Sequence, residues 1–336
     1  MTGKVYGIDL GTNNIKIYKK GKGIVLDEKN MIAIKNEKDV IAIGDEAFEM
    51  FEKAPDDVVV TFPLRNGVIA DMEYMRTLFR NFIYRINKGN KFQSSKFVVA
   101  VPTDITEVEK RAFFNDLIDN NIPKVKDIYM VDKPVAAVLG ADLDVTNASG
   151  VMMVDIGAST TEIAVLSLGG IVISKLLPIG GDTLDEAIVA TMKKNCKLVV
   201  GKKTAERLKI ELGCAYPNND SELKIFGRNV VTGLPQDVLV KSPLVNGAIR
   251  EHLDAIVEAI KGILERTPPE IAADIIDNGI WLCGGSSKIK RFGELISEET
   301  ELTVNICDKP SMAVIRGLGR IIEEPALSQL AFNVFR

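Results

Sequence analysis

The chain has one histidine, His252, in 336 residues. That leaves His252 as the only base a Ser-His-Asp triad could use. It lies in the charged helical stretch Arg250-Glu251-His252 and reads as a solvated side chain. Cysteine is nearly as scarce. Cys196, Cys214, Cys283 and Cys307 stand far apart, without a CxxC pair or a disulfide-framework spacing. They read as small buried residues of a reducing compartment. Basic charge is not in excess either: the formal net charge is -4, which argues against nucleic acid as a partner. Long apolar runs are also missing. The most apolar stretch, residues 163–179, is interrupted by Gly169-Gly170 and carries Lys175, so it reads as a hairpin and not a membrane span. The first residues enter a strand pattern directly, without a signal-peptide signature, and a cytoplasmic location is expected.

What is present is the mix of a globular chain, 46% hydrophobic and 26% charged, long enough for two domains. Its most informative feature is an internal duplication. The segment Val5-Tyr6-Gly7-Ile8-Asp9-Leu10-Gly11-Thr12 ends a strand in an acidic-glycine turn; strands at residues 15–18 and 24–26 follow, separated by Gly21 and Gly23. Met152-Met153-Val154-Asp155-Ile156-Gly157 does the same, followed by strands at 161–166 and 171–173 separated by Gly169-Gly170. A second pair appears in the same order. A strand at 97–101, a helix at 106–120 opened by a Thr106 to Glu109 capping box, and a strand at 128–131 lead to Asp132-Lys133-Pro134 and the small-residue run to Gly140. A strand at 280–283, a helix at 287–299 and a strand at 302–306 lead to Asp308-Lys309-Pro310 and the run to Gly317. Proline suits a first helical turn, so each repeat is expected to start a helix there.

Alternating strands and helices predict an α/β fold with sheets covered on both faces. Two related halves predict a nucleotide cleft between them. The expected halves are residues 1–143 with 316–336, carrying an insertion at about 33–65, and residues 144–315, carrying an insertion at about 182–244. Asp9 and Asp155, each beside glycine-rich amides, suit water-bridged Mg²⁺ and a polyphosphate. One Asp-x-Gly would be only a turn; two copies in a duplicated chain point to phosphate. Ser286 and Ser287 follow Gly284 and Gly285 between a strand and a helix start, where backbone can approach a ligand. Glu206 and Lys209 share a helix face and could meet ribose and base; a solvated ion pair is the plain alternative. Other segments read as structural: Asp71 caps a helix burying Met75, Leu78, Phe79, Phe82 and Ile86, and Ser242-Pro243 opens a long helix with Leu253, Ile256, Val257, Ile260 and Leu264 on one stripe.

These residues resemble the actin, sugar-kinase and heat-shock-chaperone superfamily, an actin-like, duplicated ribonuclease-H-like fold. Within it the chain is similar to MreB, the bacterial actin. The resemblance runs from Gly7 to about Glu323 and includes Gly7-Ile8-Asp9-Leu10-Gly11-Thr12, Gly67-Val68-Ile69-Ala70-Asp71, and Val101-Pro102 with Thr106-Glu107-Val108-Glu109-Lys110-Arg111. Thr232-Gly233-Leu234-Pro235 and Thr267-Pro268-Pro269-Glu270 lie outside the pocket shared by the superfamily and point to MreB itself. The resemblance implies ATP and Mg²⁺ as cofactors and polymerisation into protofilaments, often paired antiparallel, that determine cell shape. It implies a first phosphate loop of Thr12, Asn13 and Asn14 and a second of Asp155, Gly157, Ala158, Ser159 and Thr160. Glu206 and Lys209 would then meet the nucleoside, with Gly284 to Lys288 by the adenine.

Two departures matter. MreB relatives usually carry Glu-Glu-Pro where this chain has Asp132-Lys133-Pro134, and the second glutamate is the one taken to position the attacking water. An ammonium cannot accept a proton as a carboxylate can, so ATP hydrolysis is expected to be weak. Ala158 and Ser159 stand where glycines are usual, adding Cβ atoms to backbone that must approach phosphate. Divergent paralogues of this kind occur in wall-less helical swimming bacteria, which would add paralogous copies as partners and a role in helicity or motility. For membrane contact at the inner face, Asn90-Lys91-Phe92-Gln93-Ser94-Ser95-Lys96 offers one aromatic between lysines. The tail with Leu327, Leu330, Phe332, Val334 and Phe335 could bind lipid or pack back on the body. A small-molecule kinase or phosphatase of the same superfamily is the enzymatic alternative, though no carboxylate base for a second substrate is assignable. A chaperone would need a large further domain.

Overall fold

The structure, a computed structural model, describes residues 4–36, 38–65, 68–88, 95–104, 125–216 and 221–333. The expected helix at 106–120 with its capping box, together with Gly67, Phe92, Val334 and Phe335, lies outside these. The chain divides into two compact units: Met1–Ala148, Leu166–Ile171 and Ser311–Arg336, and Ser149–Val165 with Val172–Pro310.

The first unit is built on β1 (Lys4–Leu10), β2 (Asn14–Lys19) and β3 (Gly23–Lys29). A small insertion follows: β4 (Ile32–Lys35), β5 (Asp39–Ile43), helix Asp45–Met50, β6 (Val58–Thr61), then the β7 (Leu64–Arg65) and β8 (Val68–Ile69) pair. β9 (Ser95–Val101) and β10 (Val125–Asp132) complete a sheet in which β1 pairs parallel with β9 and antiparallel with β2. Alternation along β1 and β2 sends Tyr6, Ile8, Ile15 and Ile17 into the core, where helix Met72–Ile86 covers them with Met75, Leu78, Phe79 and Phe82. Asp71 caps that helix as expected, accepting from the Tyr74 amide at 2.9 Å.

Helix Lys133–Gly140 begins straight after β10 with Pro134 in its first turn. Its partner in the same unit is helix Ala313–Glu323. The two cross at glycines. A Cβ on Gly140 would stand 1.7 Å from the Ala313 carbonyl oxygen, and one on Gly317 would stand 1.8 Å from that of Ala136. The small-residue runs of the two repeats thus pack against each other backbone to backbone.

The second unit repeats the device with β11 (Val151–Ile156), β12 (Thr161–Ser167) and β13 (Gly170–Leu177), save for the hairpin tip Leu166–Ile171, which belongs to the first unit. Gly169 turns the β12–β13 hairpin with φ of 78°, so the apolar stretch is a hairpin. Helix Gly181–Asn195, β14 (Leu198–Val199), helix Lys202–Leu212, β15 (Glu222–Asn229) and β16 (Pro235–Lys241) form the inserted part. Helices Ser242–Leu264 and Pro269–Asn278 lead into β17 (Ile280–Cys283) and β18 (Val304–Ile306), and the sheet order is β13-β12-β11-β17-β18. Leu253, Ile256, Val257 and Ile260 are buried on one stripe of the long helix.

Three details depart from the sequence-based expectation. The helix at 287–299 is two pieces: a 3-10 turn Gly285–Lys288 and helix Phe292–Thr300, parted by an extended Ile289, Lys290 and a left-handed Arg291. The strand at 302–306 starts only at Val304. After Lys309, with φ of 49°, Pro310 begins a 3-10 turn, so the second repeat reaches its α-helix four residues later than the first. The tail packs back as far as it is described: Leu327 is buried, and β19 (Phe332–Asn333) pairs antiparallel with β10 at Met130 and Tyr129.

Candidate functional site

The two acidic-glycine turns are closed by the same hydrogen bond. In the first unit the Gly11 N–H donates to the Asn14 carbonyl at 3.0 Å; in the second, the Gly157 N–H donates to the Thr160 carbonyl at 2.9 Å. Each glycine follows its aspartate by two residues, and both aspartates are buried, Asp9 at 6% and Asp155 at 5% exposure.

The loops also orient their peptides alike. In the first, Asn30 reaches in from the end of β3. Its side-chain Nδ2 donates to the Gly11 carbonyl at 3.0 Å and its backbone N–H to the Asn13 carbonyl at 2.8 Å. In the second, the Gly157 carbonyl accepts from the Gly181 N–H at 3.1 Å and from Ser286 Oγ at 2.9 Å. The Ala158 carbonyl accepts from the Asp182 N–H at 2.6 Å. A trans peptide points its N–H opposite to its C=O. Fixing these carbonyls inward therefore directs the N–H groups of Thr12 and Asn14, and of Ala158 and Ser159, the other way. Such an amide edge suits an anion.

Four residues of these sites were not singled out from sequence. Lys16 is the cross-strand partner of Asp9, is equally buried, and places its ammonium 4.0 Å from the carboxylate. Strand period gives it away, since Ile15 and Ile17 face the core and Lys16 must share the Asp9 face. Asn30 is fully buried, and its Oδ1 has no hydrogen-bond partner among the described residues. Asp182, in the first turn of helix Gly181–Asn195, accepts from Ser159 Oγ at 2.6 Å. Asp185, one helical turn on, takes Lys209 Nζ at 2.8 Å. Lys209 therefore pairs with Asp185, not in a solvated pair with Glu206.

The turn at residues 284–288 reaches the second loop through glycine. Gly284 has φ of 83°, and a Cβ there would lie 2.2 Å from the Ile156 carbonyl oxygen and 2.4 Å from Asp155 Oδ1. No other residue type fits. Ser286 faces the loop, whereas Ser287 is fully buried and donates to the Gly284 carbonyl at 2.8 Å, so its hydroxyl shapes the turn. Gly285 and Lys288 are exposed. Among the described residues no group of three metal-ligating side chains occurs.

Burial pushes the Asp185 carboxyl up to about 6, although Lys209 opposes the shift. A raised acid pKa means the folded state holds a proton that the unfolded chain releases near 4. The contribution of Asp185 to stability is thus present at acid pH and lost as pH rises from about 4 to about 6. Measured against Asp185→Asn by urea unfolding, the wild type should lose about 1–3 kcal/mol across that window and stay level above it. A constant difference from pH 4 to 7 would contradict this.

A family model described as MreB/Mbl protein matches residues 3–329. The cell shape-determining protein Mbl of Bacillus cereus is 40% identical over 94% of this chain and 95% of its own length. The crystal structure of MreB5 of Spiroplasma citri bound to AMPPNP superposes with a TM-score of 0.91 at 30% identity, covering 98% of each chain. The MamK double helical filament shares the fold with a TM-score of 0.77 at 22% identity, covering 96% of this chain and 99% of that one. No helix among the described residues is long and apolar enough to cross a membrane. The duplicated turns, the two-unit α/β architecture and the family match over nearly the whole chain lead to one conclusion: the chain belongs to the MreB/Mbl family of actin-like proteins.

Proposed function

We propose that the chain binds ATP with Mg²⁺, polymerises into cytoskeletal filaments that determine cell shape or helicity, and hydrolyses ATP weakly. The observation that carries the reading is the shared construction of the two loops, each with its carbonyls turned inward and its amide edge outward. Thr12, Asn13 and Asn14 would hold phosphate from the first loop, with Lys16 supplying positive charge. Gly157, Ala158, Ser159 and Thr160 would do so from the second. Asp9 and Asp155 would meet Mg²⁺ through water. Glu206 and Lys209 would contact the nucleoside, and Gly284, Gly285, Ser286 and Lys288 the adenine. The AMPPNP carried by MreB5 and the filament formed by MamK support extending nucleotide binding and self-association to this relative. Protofilaments paired antiparallel, assembly with paralogous copies, and weak contact with the inner membrane face belong to the same reading.

Calorimetry with ATP tests it. The wild type should bind in the presence of Mg²⁺, and Asp155→Asn should weaken that binding about tenfold or more. In EDTA the two proteins should differ much less. Addition of Mg-ATP should also drive the wild type into a sedimenting polymer. An absence of binding heat in Mg²⁺, or no pelleting at saturating nucleotide, would overturn the proposal.

A further inference from the structure

Lys209 is held by two acceptors. Its ammonium donates to Asp185 Oδ2 at 2.8 Å and to the Gly181 carbonyl at 2.9 Å. Both partners of the ion pair are about nine-tenths buried, with side-chain exposures of 11% for Lys209 and 9% for Asp185. An ammonium has three donors, so one remains beyond these two bonds. The other carboxylate oxygen, Asp185 Oδ1, is buried without a hydrogen-bond partner among the described residues. A buried carboxylate satisfied on one side only is costly, so the pair is poor design for stability alone.

Its location gives it another use. The Gly181 N–H holds the Gly157 carbonyl of the second loop, and the Gly181 carbonyl holds Lys209. A Cβ on Gly181 would lie 2.9 Å from Ser286 Oγ and 3.0 Å from Lys209 Nζ. One glycine thus joins the amide loop, the 284–288 turn and helix Lys202–Leu212. Among the described residues, Lys209 is the cation that acts on Asp185 at this junction. The charged groups acting on Asp185 are Asp182 on its own helix and Glu206 and Lys209 on the facing one. Helix Ser242–Leu264 turns an uncharged buried face inward, from Val245 and Asn246 to Ile260, and the 284–288 turn contributes Ser286.

We propose that Asp185 is a positioning residue for nucleotide binding: its carboxylate fixes the Lys209 ammonium against Gly181, so that the remaining N–H is presented to a bound nucleoside. This rests on the nucleotide-binding reading above. When Asp185 takes up a proton the ion pair loses its charge, Lys209 is no longer fixed, and affinity falls.

The test is Mg-ATP affinity, measured by calorimetry from pH 5.0 to 8.0, for the wild type, Asp185→Asn, Lys209→Met and the double variant. At pH 7.5 each single variant should bind about tenfold more weakly than the wild type. The double variant should be no weaker than Lys209→Met, because the two residues act as one unit. The ratio of wild-type to Asp185→Asn affinity should shrink toward one as pH falls to 5, which cancels any titration of the nucleotide itself. Wild-type binding with an Asp185→Asn ratio near one throughout, or additive losses in the double variant, would overturn this proposal alone. Wild-type protein that binds no Mg-ATP at any pH would instead remove the reading beneath it. If Asp185→Asn fails to fold, the wild-type profile with ADP decides, since no affinity loss between pH 7.5 and 5.0 excludes the mechanism.

Discussion

Exchanging Lys133 for glutamate is expected to raise phosphate release from Mg-ATP at least tenfold. The reasoning is chemical. In-line attack on a γ-phosphoryl group needs a water held and oriented, with a place for its proton to go. General-base help of this kind contributes about 10²–10⁴ in rate, and an ammonium supplies none of it. Lys133 is the first residue of helix Lys133–Gly140, where Pro134 already sets the first turn, so the exchange leaves the helix start intact. Only part of the rate should return, because Ala158 and Ser159 remain in the second loop. Lys133→Gln is the decisive control: it removes the positive charge without adding a base and should stay within about threefold of the wild type. A phosphate-release assay in which glutamine and glutamine's acidic counterpart behave alike would remove the water-positioning account.

The second large effect concerns folding. Gly317→Val should destabilise the protein by about 3 kcal/mol or more, near the upper end for overpacked sites. A Cβ at Gly317 would lie 1.8 Å from the Ala136 carbonyl oxygen and 2.6 Å from its carbon. The obstacle is main chain, which cannot rotate aside as a side chain can. Helix Ala313–Glu323 would have to lift from helix Lys133–Gly140, uncovering Val314, Leu318 and Ile321, which are buried now. Gly262, in the long helix Ser242–Leu264, gives the contrast, since nothing lies within 4 Å of a Cβ there. Gly262→Ala should stabilise by about 0.4–1 kcal/mol through the unfolded chain. Urea unfolding of both variants checks the pair; equal midpoints would refute the crossing argument.

Much of this architecture was legible because it recurs. The Asp9 and Asp155 turns and the small-residue runs to Gly140 and Gly317 are local signals repeated at matching places, whereas of the two proline helix starts only the one at Pro134 opens an α-helix directly. Repetition separates a device from a coincidence. The Asp71 cap and the stripe of the long helix were legible for a second reason, since both follow from spacing along one element. What escaped depends on distant packing. Asp185 lies one helical turn beyond Asp182 and looks like an ordinary solvated acid until helix Lys202–Leu212 brings Lys209 against it. Asn30 is an ordinary turn residue in the sequence, and only the fold directs its amide to Gly11. Ile289 and Arg291 carry no breaker signal, yet an extended Ile289 and a left-handed Arg291 split a helix that the apolar pattern suggested was continuous.

The short strand β19 bears on how this protein can be watched in cells. Phe332 and Asn333 hold the rim of the first unit's sheet with only two residues. A fluorescent reporter joined to Arg336 would tug on that seam, and a peeled β19 would uncover the backbone of β10 at Met130 and Tyr129 as an adhesive edge. Reporter-induced clumping could then be mistaken for native assembly. Comparing a C-terminal fusion with one carried elsewhere on the chain is therefore a sound precaution before any image is read as a filament.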